Sequence, residues 1–152
     1  MHQGAWFLRF RCTVALLRHQ VFIMFKHSSV FSSLSIDDVG KAKQFYGRVL
    51  GLDVHETPEG LEILLAGGAR IFLYPSPRHA PATYTVLNFT VEDVDAAIDG
   101  LTEAGVRMER YDWPDLKTDA RGVFRNEEEH GPKAVAWFKD PAGHILSVVQ
   151  ER

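Results

Sequence analysis

Two stretches of the chain carry one pattern: LSIDDVGKAKQFYGRVLGLDV (residues 34–54) and FTVEDVDAAIDGLTEAGVRME (residues 89–109). Ile36-Asp37-Asp38-Val39 aligns with Val91-Glu92-Asp93-Val94 at an offset of 55 residues, and Gly51 aligns with Gly105 after one deletion. A repeat of this length marks one supersecondary unit used twice. Each copy reads as a strand running into an acidic pair. Asp38 and Asp93 stand where a carboxylate can accept the unpaired N–H groups of a following helix. Val39, Ala42, Phe45, Tyr46 and Val49 then recur at helical spacing, as do Val94, Ala97, Ile98 and Leu101. Gly51 and Gly105 fall where a left-handed cap turns the chain out of a helix.

Strand signals follow each helix. In the first copy they are LDVHE, LEILLA, a Gly-Gly turn and RIFLYP; in the second, VRMERYD, KAVAWF, the turn DPAG and HILSVVQ. PSPRHAPA (residues 75–82) reads as a Pro-rich linker between the copies. Residues 113–132 form a long polar stretch without clear periodicity, the kind of loop that is either functional or mobile. The expected architecture is α+β: two strand–helix–strand–strand–strand modules, about 28–78 and 83–150, whose sheets form one curved, partly closed trough with a ligand-sized inner face.

The 152 residues fit one domain or two small packed modules. A composition of 45% apolar and 24% charged residues is that of an ordinary globular protein able to bury a core. The net charge of −3 argues against a nucleic-acid partner, which needs a basic surface to offset phosphate. A single cysteine, Cys12, excludes an internal disulfide and a CxxC site and fits a reducing cytoplasm. The first 23 residues carry Arg9, Arg11 and Arg18 and no acid; the remainder holds 14 basic and 20 acidic residues, a formal −6. Polar residues interrupt the apolar run of this head, so neither a membrane span nor a signal peptide is expected. Residues 1–25 are read as a basic extension outside the functional protein, with a targeting segment or an extra packed element as alternatives. Residues 26–152 are read as the working domain.

SIDDVGKAKQFYGRVLGL, FTVEDVDAAIDGLTEAGV and WFKDPAGHILSVV together resemble the vicinal oxygen chelate superfamily, which includes glyoxalase I, bleomycin-resistance proteins and extradiol dioxygenases. The resemblance covers residues 28–150. It marks a fold that hosts many chemistries. It also implies four metal-ligand positions, which local landmarks place at Phe31, Phe72, Val86 and Ser147. Metal enzymes of this family hold His, Glu or Gln there, and hydrocarbon offers a cation no lone pair. No adjacent position supplies a His or carboxylate either. The expectation is no metal and no cofactor. The resemblance further implies a homodimer.

Strand alternation assigns the inner face. Phe31, Ser33, Arg70, Phe72, Tyr74, Tyr84, Val86, Asn88, Trp137 and Ser147 are the expected ligand-binding residues. They offer aromatic rings, a few neutral hydrogen-bonding groups and one cation, a lining suited to an uncharged or anionic aromatic ligand. The same side chains could equally close up as core. His130, at the end of NEEEHGP, is the one weak candidate for acid–base chemistry, set against a solvated place beside an acidic run. His27 is weighed as a trough-edge residue or an ordinary strand start. His55 and His79 are expected in solvent, and His144 is expected to face outward. The reading is a cytoplasmic, metal-independent small-molecule binding protein. The alternatives are a lyase or dioxygenase-like enzyme of the same superfamily, with His130 or Arg121 as a loop acid–base, and a non-catalytic protein with a closed trough.

Overall fold

The acidic caps act as their positions suggest. Asp38 accepts the Lys41 backbone N–H at 2.9 Å and opens helix α1 (Val39–Lys43), which continues as a π-helical stretch, Gln44–Val49. Asp93 accepts from Asp95 and Ala96 at 2.8 and 3.2 Å and opens α2 (Val94–Glu103). Gly51 and Gly105 then turn the chain at φ of 68° and 87°, a region that side chains other than glycine disfavour. Asp93→Ala leaves both first-turn N–H groups without their acceptor. A loss of about 1 kcal/mol of unfolding free energy is expected, measurable by urea denaturation.

The computed structural model describes Lys26 and residues 28–152. The head and His27, with the expectations placed on them, lie outside the described residues. Ser32–Arg152 forms one compact unit. Among the described residues, no helix is long and apolar enough to cross a membrane.

The first module holds β1 (Ser32–Ile36), β2 (Asp53–Thr57), β3 (Gly60–Leu64) and β4 (Arg70–Pro75), in sheet order β1-β4-β3-β2. The second uses β5 (Thr85–Val91), β8 (Val123–Arg125), β9 (Ala134–Lys139) and β10 (Ile145–Gln150), in order β5-β10-β9-β8. First and last strands pair in parallel in both, so the sequence repeat is a repeat of topology. One face of each sheet packs on its helix. Leu61, Ile63, Ile71 and Leu73 join Ala42, Phe45 and Tyr46, while Ala136, Phe138, Leu146 and Val148 join Val94 and Ile98, in one buried cluster.

The expected curved, partly closed trough does not form. Each sheet is an open four-stranded sheet, and no strand of one pairs with a strand of the other. The modules are joined elsewhere. Phe45 and Phe138 meet with ring centroids 6.4 Å apart, and the Tyr46 hydroxyl donates to Asp140 Oδ2 at 2.8 Å. Hydrocarbon sits on the helix-covered faces, and that is where the modules find a joint core. The opposite faces carry Ser33, Arg70, Tyr74 and Asn88, which stay at the surface.

Two histidines expected in solvent belong to this junction. His144, 3% exposed, donates from Nε2 to the Ser35 carbonyl at 2.7 Å and accepts the Ala82 N–H at Nδ1 at 3.2 Å. His79 donates from Nε2 to the Ala142 carbonyl at 2.7 Å, with Nδ1 2.9 Å from the Ser35 hydroxyl. Their partners lie between 44 and 109 residues away in the chain, so local pattern carried no sign of them. The 113–132 stretch is also more built than its composition suggests. It begins within the hairpin of β6 (Asp112–Trp113) and β7 (Leu116–Lys117) and then holds β8. Arg121 and Arg125 tie it to α2: both reach Asp95, at 2.8 and 2.9 Å, and Arg121 also bonds Asp99. The bond from Arg125 holds the Asp95 carboxyl below its ordinary range.

Candidate functional site

Ser147 lies in β10 between Trp137 of β9 and Asn88 of β5, its register partners on either side. It is fully buried, and its hydroxyl donates to Asn88 Oδ1 at 2.6 Å. Beside it, the Trp137 indole N–H donates to the Thr85 hydroxyl at 3.1 Å. Thr85 is reached through an irregularity. Ile145 pairs with Thr85 but Leu146 pairs with Leu87, so Val86 has no counterpart. An extra residue of this kind breaks the two-residue alternation of a strand.

Tyr111 places its ring edge-on to Trp137, with centroids 5.4 Å apart, and Trp113 leans on Tyr111 at 4.7 Å. The short hairpin presents both. Thr118 closes its base by accepting the Tyr111 N–H at 3.0 Å and returning its own N–H to the Tyr111 carbonyl at 3.0 Å. Trp113 remains 56% exposed. Burial, and after it the neighbouring Glu109 carboxylate, push the Tyr111 hydroxyl above its ordinary pKa, with Lys139 opposing. The phenol is therefore a neutral donor throughout the physiological range. The result is a sheet face with a ledge of three aromatic rings beside Thr85, Asn88 and Ser147.

The residues expected to line one surface form two groups. Ser33, Arg70, Phe72 and Tyr74 belong to the first sheet: Ser33 stands opposite Phe72, Phe72 and Tyr74 stack at 6.4 Å and 18°, and Arg70 pairs with Glu62 at 2.7 Å. Asn88, Trp137 and Ser147 belong to the second. Tyr84 is exposed just ahead of β5, and Val86 sits at the irregularity, half-buried. Phe31 is 52% exposed and lies in the chain segment before the compact unit. His130 is exposed on its loop, where its carbonyl accepts from Asn126 Nδ2 at 2.7 Å. Arg121 is engaged with α2, as described above.

Thr85, Tyr111 and Trp113 were absent from the expected lining. Thr85 was hidden by the irregularity, which no periodicity announces. Tyr111 and Trp113 did carry a signal: two aromatics at i and i+2, followed by Pro-Asp, is a strand running into a turn.

A concavity of about 790 Å³ lies elsewhere, as an open groove between α2 and residues 106–110. Its rim charges include Arg121 and Glu109, already engaged with Asp95 and Lys139. It carries none of the aromatic rings of the sheet face.

Residues 28–148 match the model of the glyoxalase/bleomycin resistance protein/dioxygenase superfamily. The chain belongs to that superfamily. No curated protein matches it. Among solved structures it resembles TnmS3, an antibiotic binding protein from Streptomyces sp. CB03234, at 24% identity and TM-score 0.54, over 83% of this chain and 98% of that one. A glyoxalase/bleomycin resistance protein from the same organism is 25% identical at TM-score 0.54, over 81% of this chain and 100% of that one. The fosfomycin resistance protein FosX from Listeria monocytogenes is 16% identical at TM-score 0.59, over 82% and 93% of the two chains.

In this superfamily member, the positions implied for a metal do not fit one. Phe72 and Val86 are hydrocarbon, and the only hydroxyl of the set, on Ser147, is engaged with Asn88. Among the described residues, no three His, Cys, Asp or Glu side chains gather as a metal cluster.

Proposed function

We propose that this chain is a metal-independent small-molecule binding protein of the glyoxalase/bleomycin-resistance type, and that its ligand is a planar aromatic compound held on the face of Trp137, Asn88 and Ser147. The observation that carries the reading is the ledge of exposed Trp113 and half-buried Tyr111 and Trp137 beside hydrogen-bonding groups. Large rings left partly open to solvent next to a few oriented polar atoms are what an arene needs: area to stack on and a way to be oriented. The shared fold with an antibiotic binding protein is consistent with sequestration as the task.

The working domain in this reading is 26–152, with 1–25 as an extension, and the setting is the cytoplasm. A homodimer is part of the proposal. In the first module Phe72 stacks with Tyr74, 40% exposed, an aromatic surface for a second copy to cover. Sedimentation equilibrium should return twice the mass of the chain; a monomer at high micromolar concentration would remove the dimer from the proposal.

The binding claim is tested by thermal shift and tryptophan quenching against planar aromatic acids, ketones and antibiotics. A ligand that binds only the native state raises its melting temperature. Trp137→Ala should weaken any such ligand at least tenfold while leaving the far-ultraviolet spectrum intact. If no aromatic compound quenches the indoles or raises the melting temperature, the proposal fails.

A further inference from the structure

The polar atoms around the aromatic ledge are not free to take either role. Ser147 is fully buried, and among the described residues its hydroxyl has one recorded partner, Asn88 Oδ1. Were the amide turned over, Asn88 would donate to Ser147 Oγ and the hydroxyl proton would be buried without an acceptor, which folded proteins avoid. The amide orientation is therefore set from beneath. Oδ1 points down to Ser147, and Nδ2, with two N–H groups, is left to the exposed side of Asn88.

The same reasoning applies to the neighbouring pair. An indole can only donate, so Thr85 Oγ1 must be the acceptor of the Trp137 N–H, and the Thr85 hydroxyl proton is left to donate away from it. Tyr111 keeps its proton as well. Asn88 Oδ1 and Thr85 Oγ1 thus spend acceptor capacity inside the face, and the hydrogens of these groups remain for a ligand.

We infer that this face selects planar arenes bearing a carbonyl or comparable acceptor oxygen, with Asn88 as the donor that touches the ligand and Ser147 as the positioning residue that fixes the Asn88 amide. The inference rests on the aromatic-ligand reading above and adds the polarity of the ligand to it. A hydrocarbon of equal shape stacks but leaves the Asn88 amide without an acceptor, and binding loses what the hydrogen bond supplied.

The probes are 2-acetylnaphthalene and 2-ethylnaphthalene, which have the same ring and nearly the same outline but exchange C=O for CH₂. Each is titrated into the full chain by tryptophan quenching, for wild type, Ser147→Ala, Asn88→Ala and Asn88→Asp, with a thermal melt to verify folding. Wild type should hold the ketone at least tenfold more tightly than the hydrocarbon. The three variants should bring the ratio to within about threefold, with ketone affinity falling by more than hydrocarbon affinity, a pattern that general loosening of the sheet would not produce. The two Asn88 variants make the same test, so a folding failure in one leaves the other to decide. Equal wild-type affinities for the two probes would overturn the inference and leave the aromatic site standing. An undiminished ratio in Ser147→Ala with a collapsed ratio in the Asn88 variants would overturn the positioning role. Binding of neither probe to wild type, with no other arene bound, would remove the aromatic site itself.

Discussion

Phe138→Ala is expected to remove about 3–5 kcal/mol of unfolding free energy, the largest loss anticipated for any single change here. The side chain is fully buried in β9, and its ring meets Phe45 of the other module. Truncation gives up the transfer energy of an aromatic ring and leaves a cavity with walls on both modules. The walls are β-strands and a capped helix, so collapse around the cavity is limited. Small domains have a total stability of about 5–15 kcal/mol, so the variant should unfold at much lower urea. Because Phe138 belongs to a cluster containing residues of both modules, the loss should move one cooperative transition. A cost below about 1 kcal/mol, or two separated transitions, would show that the modules do not share a core.

The second large effect is at the polar joint of the same interface. Tyr46 is fully buried, and its hydroxyl is the partner of Asp140 Oδ2; Asp140 Oδ1 accepts the His144 backbone N–H at 2.7 Å. Burial, then the Asp140 charge, hold the phenol far above its ordinary pKa, so it stays a donor at every pH the fold survives. Tyr46→Phe preserves the shape and deletes the donor, leaving a buried carboxylate oxygen unpaired. The expected cost is about 1–3 kcal/mol. A double-mutant cycle with Asp140→Ala isolates the pair: if the two changes together cost as much as their sum, the hydrogen bond contributes nothing of its own.

These two sites also show how far local pattern reaches. The helices were legible because Asp38 and Asp93, the spacing of Val39, Ala42, Phe45 and Tyr46, and Gly51 and Gly105 each act within a few residues of themselves. That Phe72 and Val86 offer a cation no lone pair was legible too, because residue identity alone settles it. Of the aromatic ledge, Trp137 was placed among the expected lining residues from strand parity. Thr85 was not, because one unpaired residue at Val86 shifts every parity argument upstream of it.

What could be read without coordinates was therefore what short-range repetition carries: two modules, their caps, and the succession of strands and helix along each copy. What needed the folded chain was how the copies meet. They do so through Phe45, Phe138, Tyr46, Asp140, His79 and His144, and this leaves two open sheets instead of one curved, partly closed trough. The reason is physical. A hydrophobic period tells which face of an element seeks burial, but many surfaces can satisfy it; the choice among them is made by pairs such as Tyr46 with Asp140, 94 residues apart, that exist only once the chain has closed on itself.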